Sequence, residues 1–238
     1  MKQAIVIGAT SGIGRALAER LAAAGWRVGA VGRREALLRE LEQTAPANIS
    51  YVTADITRPE ASLAALSELV ARLGGMDLCV VCSGTGDLNP ALDFALEEPA
   101  IATNVRGWTA VVDWAYCWFE RRGGGHLAVV TSVGGLRGSG SAPAYNASKA
   151  YQINYAEGLR QRAAKTASGV RVMDLRPGLV DTAMAKGDGL FWVMPVGRVV
   201  DQMLRAMRRR RRVTVVTRRW RLVAWMLRRL PESLYLKL

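Results

Sequence analysis

Ile7-Gly8-Ala9-Thr10-Ser11-Gly12-Ile13-Gly14 decides the architecture: the strand-like run Ala4-Ile5-Val6 precedes it, and the helical pattern Arg15–Ala24 follows. Glycine is needed where a chain turns sharply and where backbone must approach an anion with no Cβ in the way. The first turn of the next helix then presents unpaired N–H groups and the positive end of its dipole. Three glycines in a turn say little alone. Between a strand and a helix they read as a phosphate cradle rather than a plain tight turn.

Outward from this loop the same alternation continues. Short apolar runs at Arg27–Val31, Ser50–Ala54, Leu78–Cys82, His126–Ser132 and Val170–Leu175 separate helical patterns at Glu35–Glu42, Leu63–Leu73, Ile101–Glu120 and Tyr145–Ala164. Such runs are the mark of strands buried on both faces, so the chain is expected to be an α/β protein with a doubly wound parallel sheet flanked by helices. Val199–Met207 reads as a helix, Val213–Thr217 as a last strand, and Arg218–Leu230 as a helix stopped by Pro231. One domain over 1–238 is expected, with 183–197 as a substrate lid and 218–238 as a basic amphipathic extension.

Composition agrees. Half of the 238 residues are apolar and 22% are charged, which is globular rather than disordered. No apolar run approaches the ~20 residues of a membrane span. The opening Met1-Lys2-Gln3 passes straight into an apolar run, so it reads as a first strand and not as a leader. Cys79, Cys82, Cys117 and the single His126 lack zinc-type spacing, so no metal is expected, and a reducing, cytoplasmic setting fits best. The net charge of +13 is concentrated: residues 198–238 carry thirteen Arg and Lys against Asp201 and Glu232.

The loop spacing G-x-x-x-G-x-G resembles the T-G-x-x-x-G-x-G of the short-chain dehydrogenase/reductase family, with Ile7 in place of the threonine. Four further motifs follow in order. Thr103-Asn104-Val105-Arg106-Gly107 matches the family's asparagine, Ser132 stands thirteen residues before Tyr145 as its serine does, Tyr145-Asn146-Ala147-Ser148-Lys149 is its Tyr-x-x-x-Lys, and Pro177-Gly178-Leu179-Val180-Asp181-Thr182 is its P-G-x-x-x-T. Val81-Cys82-Ser83-Gly84 departs from the family's Asn-Asn-Ala-Gly, keeping only the glycine. The resemblance implies a Rossmann-like fold and an oxidoreductase that interconverts a carbonyl and an alcohol. It implies that Asn104, Ser132, Tyr145 and Lys149 are catalytic, with Asn104 holding a water in a relay to the lysine and Lys149 also binding the cofactor ribose. It assigns cofactor contacts to Gly8, Thr10, Ser11, Gly12, Ile13 and Gly14 in the loop, to Ser83 and Gly84, and to Pro177, Gly178, Val180 and Thr182 at the nicotinamide. Asp55, with Ile56, matches its adenine-contacting acid, and a helix N-cap is the structural alternative for Asp55.

The residues give independent reasons for parts of this. Tyr145 and Lys149 are four apart, on one helical face, and an ammonium beside a phenol favours the phenolate. Where an NAD-preferring protein of this fold carries an acid for the ribose 2′-OH, this chain has Gly32 followed by Arg33 and Arg34. A guanidinium binds a 2′-phosphate that an acid would repel, so NADP(H) is the expected cofactor, with Arg33 favoured over Arg34.

Met184, Leu190, Phe191, Trp192, Val193 and Met194 suggest an apolar lid over a hydrophobic substrate, with Gly187 and Gly189 as hinges, or else ordinary core. In 218–230 the arginines fall on one half of the helix, opposite Trp220, Val223, Met226, Leu227 and Leu230. That pattern fits a helix lying on an anionic membrane or one packed on the body with its arginines solvated. The long helices, with Trp108, Trp114, Trp118 and Tyr151, suggest a homodimer. Nucleic acid is not an expected partner, because no recognition motif accompanies the charge. A non-catalytic NADP(H) sensor is the competing reading, which the full Asn/Ser/Tyr/Lys set disfavours.

Overall fold

The computed structural model describes residues 1–185 and 191–237. The expected hinges Gly187 and Gly189 and the lid residue Leu190 lie outside the described residues. Seven parallel strands form one sheet in the order β3-β2-β1-β4-β5-β6-β7. They are β1 (Gln3–Ile7), β2 (Arg27–Gly32), β3 (Ile49–Thr53), β4 (Leu78–Val81), β5 (Gly125–Val130), β6 (Val170–Pro177) and β7 (Val213–Val216). The expected doubly wound sheet is present. Its order reverses between β1 and β4, where Ile7 pairs with Val81, so a crevice opens beyond the carboxyl ends of these two strands.

Helices cover both faces. On one side α1 (Gly12–Ala23), α2 (Glu35–Thr44) and α7 (Val196–Arg208) pack on Val6, Val80, Ala128 and Leu175; on the other, α3 (Pro59–Leu73), α5 (Trp108–Arg121) and α6 (Pro143–Thr166) pack on Ile5, Cys79, Leu127 and Val172. Alternate residues of the central strands therefore feed opposite cores. This is why those segments read as continuous apolar runs instead of an in–out pattern.

The expected helix Ile101–Glu120 is three pieces: α4 (Phe94–Ile101), a π-helical turn (Ala102–Gly107) and α5. The π turn puts one extra residue into the coil, so Asn104 sits in an irregular segment and not in the middle of a regular helix. Trp108 is wholly buried, edge-on to Tyr151 and Tyr155, and is therefore core and not the dimer contact the sequence suggested.

The C-terminal extension forms α8 (Arg218–Arg229) and the short α9 (Glu232–Tyr235). Trp220 and Ala224 are buried, and they pack with Val133, Val223 and Leu227 in a third, smaller apolar cluster. Trp220 lies against Gly178, where any side chain would collide with the indole, and its Nε1 donates to the Trp192 carbonyl at 3.2 Å. Met226, expected on the packed side, is exposed beside Leu222 and Trp225, among the arginines. The body accepts only the Trp220–Ala224–Leu227 stripe, which leaves Met226 about a quarter-turn outside it.

Candidate active site

The glycine loop lies at the crevice. Gly8 has φ +89°, and a Cβ at Gly14 would run into the Gly8 carbonyl, so the turn and the start of α1 close on each other only with glycine at both places. Ser11 precedes α1 without capping it through its side chain; its hydroxyl accepts instead from Arg34 Nη2 at 2.8 Å. The first-turn amides of α1 are left to an external anion. Ser83, packed directly against Gly8, has its Oγ buried without a hydrogen-bond partner among the described residues. A dinucleotide fits such a cradle: bare backbone at the turn, a helix start without a side-chain cap and an unpartnered hydroxyl beside the turn.

The expected contact residues Gly8, Thr10, Ser11, Gly12, Ile13, Gly14, Arg33, Arg34, Asp55, Ile56, Ser83, Gly84, Pro177, Gly178, Val180 and Thr182 all line one cavity of about 1010 Å³. Asp55 does not cap the next helix, which Arg58 precedes. Its Oδ1 accepts from the Thr57 amide at 3.0 Å and the Thr57 hydroxyl at 2.8 Å. Burial works to raise its pKa, but those two bonds and the charges of Arg33 and Arg58 outweigh it and hold the carboxyl below its usual range. Of the two arginines it is Arg34, not the favoured Arg33, whose guanidinium is seated on the loop, donating to Thr10 Oγ1 at 2.6 Å.

Ser132, Tyr145 and Lys149 line the same cavity. Ser132 follows β5 and caps the 3₁₀ turn Val133–Leu136, its Oγ accepting from the Gly134 amide at 3.0 Å. Burial raises the Tyr145 pKa, and a hydrogen bond from Ser132 works against that. Lys149 is buried, and desolvation brings its pKa down to about 8 despite the nearby Cys82 and Asp174. Its Nζ is 5.8 Å from the centre of the Tyr145 ring. The start of α6 is pinned from α4, where Glu97 Oε2 accepts from the Ala144 amide at 2.8 Å.

Asn104 does not line the cavity. It is fully buried behind it, its Oδ1 accepting from the Thr85 amide at 2.9 Å and its Nδ2 donating to the Thr85 carbonyl at 2.6 Å and to Ser148 Oγ at 2.9 Å. Its own carbonyl accepts from Gln152 Nε2 at 2.9 Å, and Gln152 Oε1 accepts from Lys149 Nζ at 3.0 Å. Sequence reasoning missed Gln152. Its position three residues after Lys149 was the available signal, since side chains so spaced are helical neighbours.

Beyond the motifs, Leu88, Met184, Phe191, Trp220, Leu227 and Tyr235 also line the cavity. The last three come from α8 and α9, so the extension is a wall of the pocket. Among the described residues no cluster of His, Cys, Asp and Glu has the arrangement to hold a metal.

The chain is similar to known proteins. The family model for short chain dehydrogenases matches residues 2–189. An uncharacterized oxidoreductase of Myxococcus xanthus is 38% identical over 188 residues, covering 77% of this chain and 74% of that protein. A short-chain dehydrogenase from Sphingobium yanoikuyae, solved in complex with NADPH, superposes with a TM-score of 0.80 at 24% identity, over 98% of each chain. The 3-ketoacyl-(acyl-carrier-protein) reductase of Brucella melitensis, complexed with NADH, gives 0.82 at 22% identity, over 90% of this chain and 96% of that one. Glycine cradle, Tyr–Lys pair and matching family model together make the chain an oxidoreductase of the short-chain dehydrogenase family.

Proposed function

We propose that this protein is an NADP(H)-dependent reductase of a hydrophobic ketone or aldehyde. The observation that carries the reading is that Ser132, Tyr145 and Lys149 share one cavity with the glycine loop and with an apolar wall of Phe191, Trp220 and Leu227. NADPH, when bound, supplies the hydride. Tyr145 donates the proton to the substrate oxygen, and its raised pKa keeps the phenol protonated and ready to donate at neutral pH. Ser132 orients that oxygen by a hydrogen bond. Lys149 places a positive charge behind the phenol, which steadies the phenolate left after transfer. Asn104 acts from the second layer by fixing the Thr85 backbone and Ser148.

NADPH oxidation is to be followed over a panel of ketones and aldehydes that includes long-chain ones. Tyr145→Phe is expected to lower turnover at least a hundredfold while NADPH binding stays within about threefold. Turnover that survives this change removes the assignment. NADPH binding with no carbonyl turned over would favour a sensor.

The described helices include none long and apolar enough to cross a membrane. Peripheral contact remains part of the proposal, because Leu222, Trp225 and Met226 are exposed between Arg218, Arg219, Arg221, Arg228 and Arg229 on α8. Basic and bulky apolar side chains on one face suit an anionic leaflet. Flotation with anionic vesicles, set beside neutral ones, checks it. A homodimer through α5 and α6 is also proposed, with Trp114, Trp118 and Tyr151, partly exposed there, as the contact. Light scattering at micromolar concentration reads the mass. The cytoplasm, or the inner face of a membrane, is the proposed location.

A further inference from the structure

We infer that Gln152 is a positioning residue of the reaction: its amide ties the Lys149 ammonium to the backbone carbonyl of Asn104 and thereby sets where the lysine's charge stands beside Tyr145. The inference rests on the oxidoreductase reading above.

Gln152 is fully buried, one turn along α6 from Lys149. A side chain there has only to fill space between α6 and the π turn, and a leucine or methionine would do so without a polar group to satisfy. Instead both ends of the amide are used, the oxygen on Lys149 Nζ at 3.0 Å and the nitrogen on the Asn104 carbonyl at 2.9 Å. The π turn makes this carbonyl available. In a regular helix the Trp108 amide would bond to it; here that amide bonds back to Thr103, skipping Asn104. The irregular turn and the buried glutamine are therefore two halves of one device.

An ammonium has three donors. Gln152 Oε1 takes one, and the Val130 carbonyl, at 3.4 Å, is a weaker second acceptor. One donor remains for the cavity that Lys149 lines. The amide cannot turn over to offer Lys149 its NH₂ without losing the Asn104 bond, so its acceptor end is fixed on the lysine. An acceptor on the ammonium favours the charged form, against the burial that depresses it. The Asp174 carboxylate adds to this from β6, whereas burial pushes the nearby Cys82 thiol up to about 12 and leaves it neutral, and Tyr145 is the titratable group on α6 that faces the lysine. Without the amide oxygen, the lysine would become neutral at lower pH and its head would be free to swing.

Gln152→Met keeps the length and removes both bonds. Gln152→Glu keeps an acceptor towards Lys149 and strengthens it. The affinity for NADPH, read by fluorescence from about pH 6 to 10, is expected to fall away at a pH at least about half a unit lower than wild type in Gln152→Met, and at a higher pH in Gln152→Glu. With a carbonyl substrate, Gln152→Met is expected to lose about tenfold in kcat with its KM for the carbonyl within about twofold. Opposite shifts from two substitutions at one site are not what a packing defect produces. Midpoints that coincide with wild type in both variants, with circular dichroism unchanged, overturn the inference.

Should either variant fail to fold, the 13Cε resonance of Lys149 in lysine-labelled wild-type protein decides, identified by its loss in Lys149→Arg. Nuclear Overhauser contact to the Gln152 side chain is expected, and its absence sinks the proposal. If wild type binds NADPH but reduces nothing, the reductase reading fails while the binding titration still judges Gln152.

Discussion

Arg34 Nη2 donates to the Thr10 hydroxyl at 2.6 Å and to the Ser11 hydroxyl at 2.8 Å, so a cation from the end of β2 rests on the glycine loop. In this fold that place lies beside the adenosine ribose, where the 2′-phosphate of NADP(H) is the only group NAD(H) lacks. A charge-assisted bond of about 1.5–3 kcal/mol is at stake. Arg34→Ala is expected to weaken NADPH roughly ten- to hundredfold and NADH less than about threefold, by fluorescence titration of both. Equal losses would mean that Arg34 merely braces the loop.

Trp220 couples the C-terminal extension to the pocket. It is buried, stacked with Phe191 at 5.3 Å between ring centres, and pressed on Gly178. Truncating a buried tryptophan costs about 3–5 kcal/mol. Trp220→Ala should lower the melting temperature by roughly 6–12 °C in a chain of this size. The hole opens into the cavity, so bulkier ketones should gain in kcat/KM relative to small ones. A melting curve and a substrate series check the two effects separately.

His126, at the start of β5, pairs opposite Arg171 in the sheet. Burial, with Arg171 and Arg210, brings its pKa from 6.5 to about 4. A folded-state pKa below the unfolded one means that the unfolded chain takes up the proton first, so stability falls as pH drops from about 6.5 towards 4. The side chain is partly solvated, which reduces the effect to about 2 kcal/mol. Urea unfolding at pH 7 and pH 4.5 should show a difference smaller by about that amount in His126→Gln. An unchanged difference would assign acid sensitivity elsewhere.

Asp174 and Arg176 form a buried ion pair on β6, Oδ2 accepting from Nε at 2.7 Å while Oδ1 accepts from the Thr131 hydroxyl at 2.6 Å. Asp174→Asn would leave the Arg176 charge without a counter-ion. Breaking a buried pair from one side typically costs 3–5 kcal/mol, roughly a third or more of the stability of an ordinary domain. Denaturant midpoints should show it, and Asp174→Asn with Arg176→Met should recover part of the loss. A single variant as stable as wild type would mean that water reaches the pair.

Much of the molecule was legible in the one-dimensional chain. Alternating apolar runs and helical patterns follow from burial on both faces of a parallel sheet, and the interval between Gly8 and Gly14 follows from the close approach of the turn to the start of α1. Tyr145 and Lys149 were visible together because a helix turns sequence spacing into adjacency. These are local rules, and local rules survive without coordinates.

Contacts across the fold were not legible. Whether Arg33 or Arg34 is seated on the loop depends on how β2 ends relative to Thr10 and Ser11, 24 and 23 positions before Arg34. That α8 walls the pocket through Trp220, while Met226 faces outwards, depends on where the body offers a groove. The π turn that frees the Asn104 carbonyl, and the glutamine that takes it, meet across 48 positions. The sequence alone determined the sheet, the glycine turn and the adjacency of Tyr145 and Lys149, because each arises from neighbours along the chain. Only the tertiary structure decided which buried partners hold that pair, because hydrogen bonds between distant segments depend on packing that no local pattern encodes.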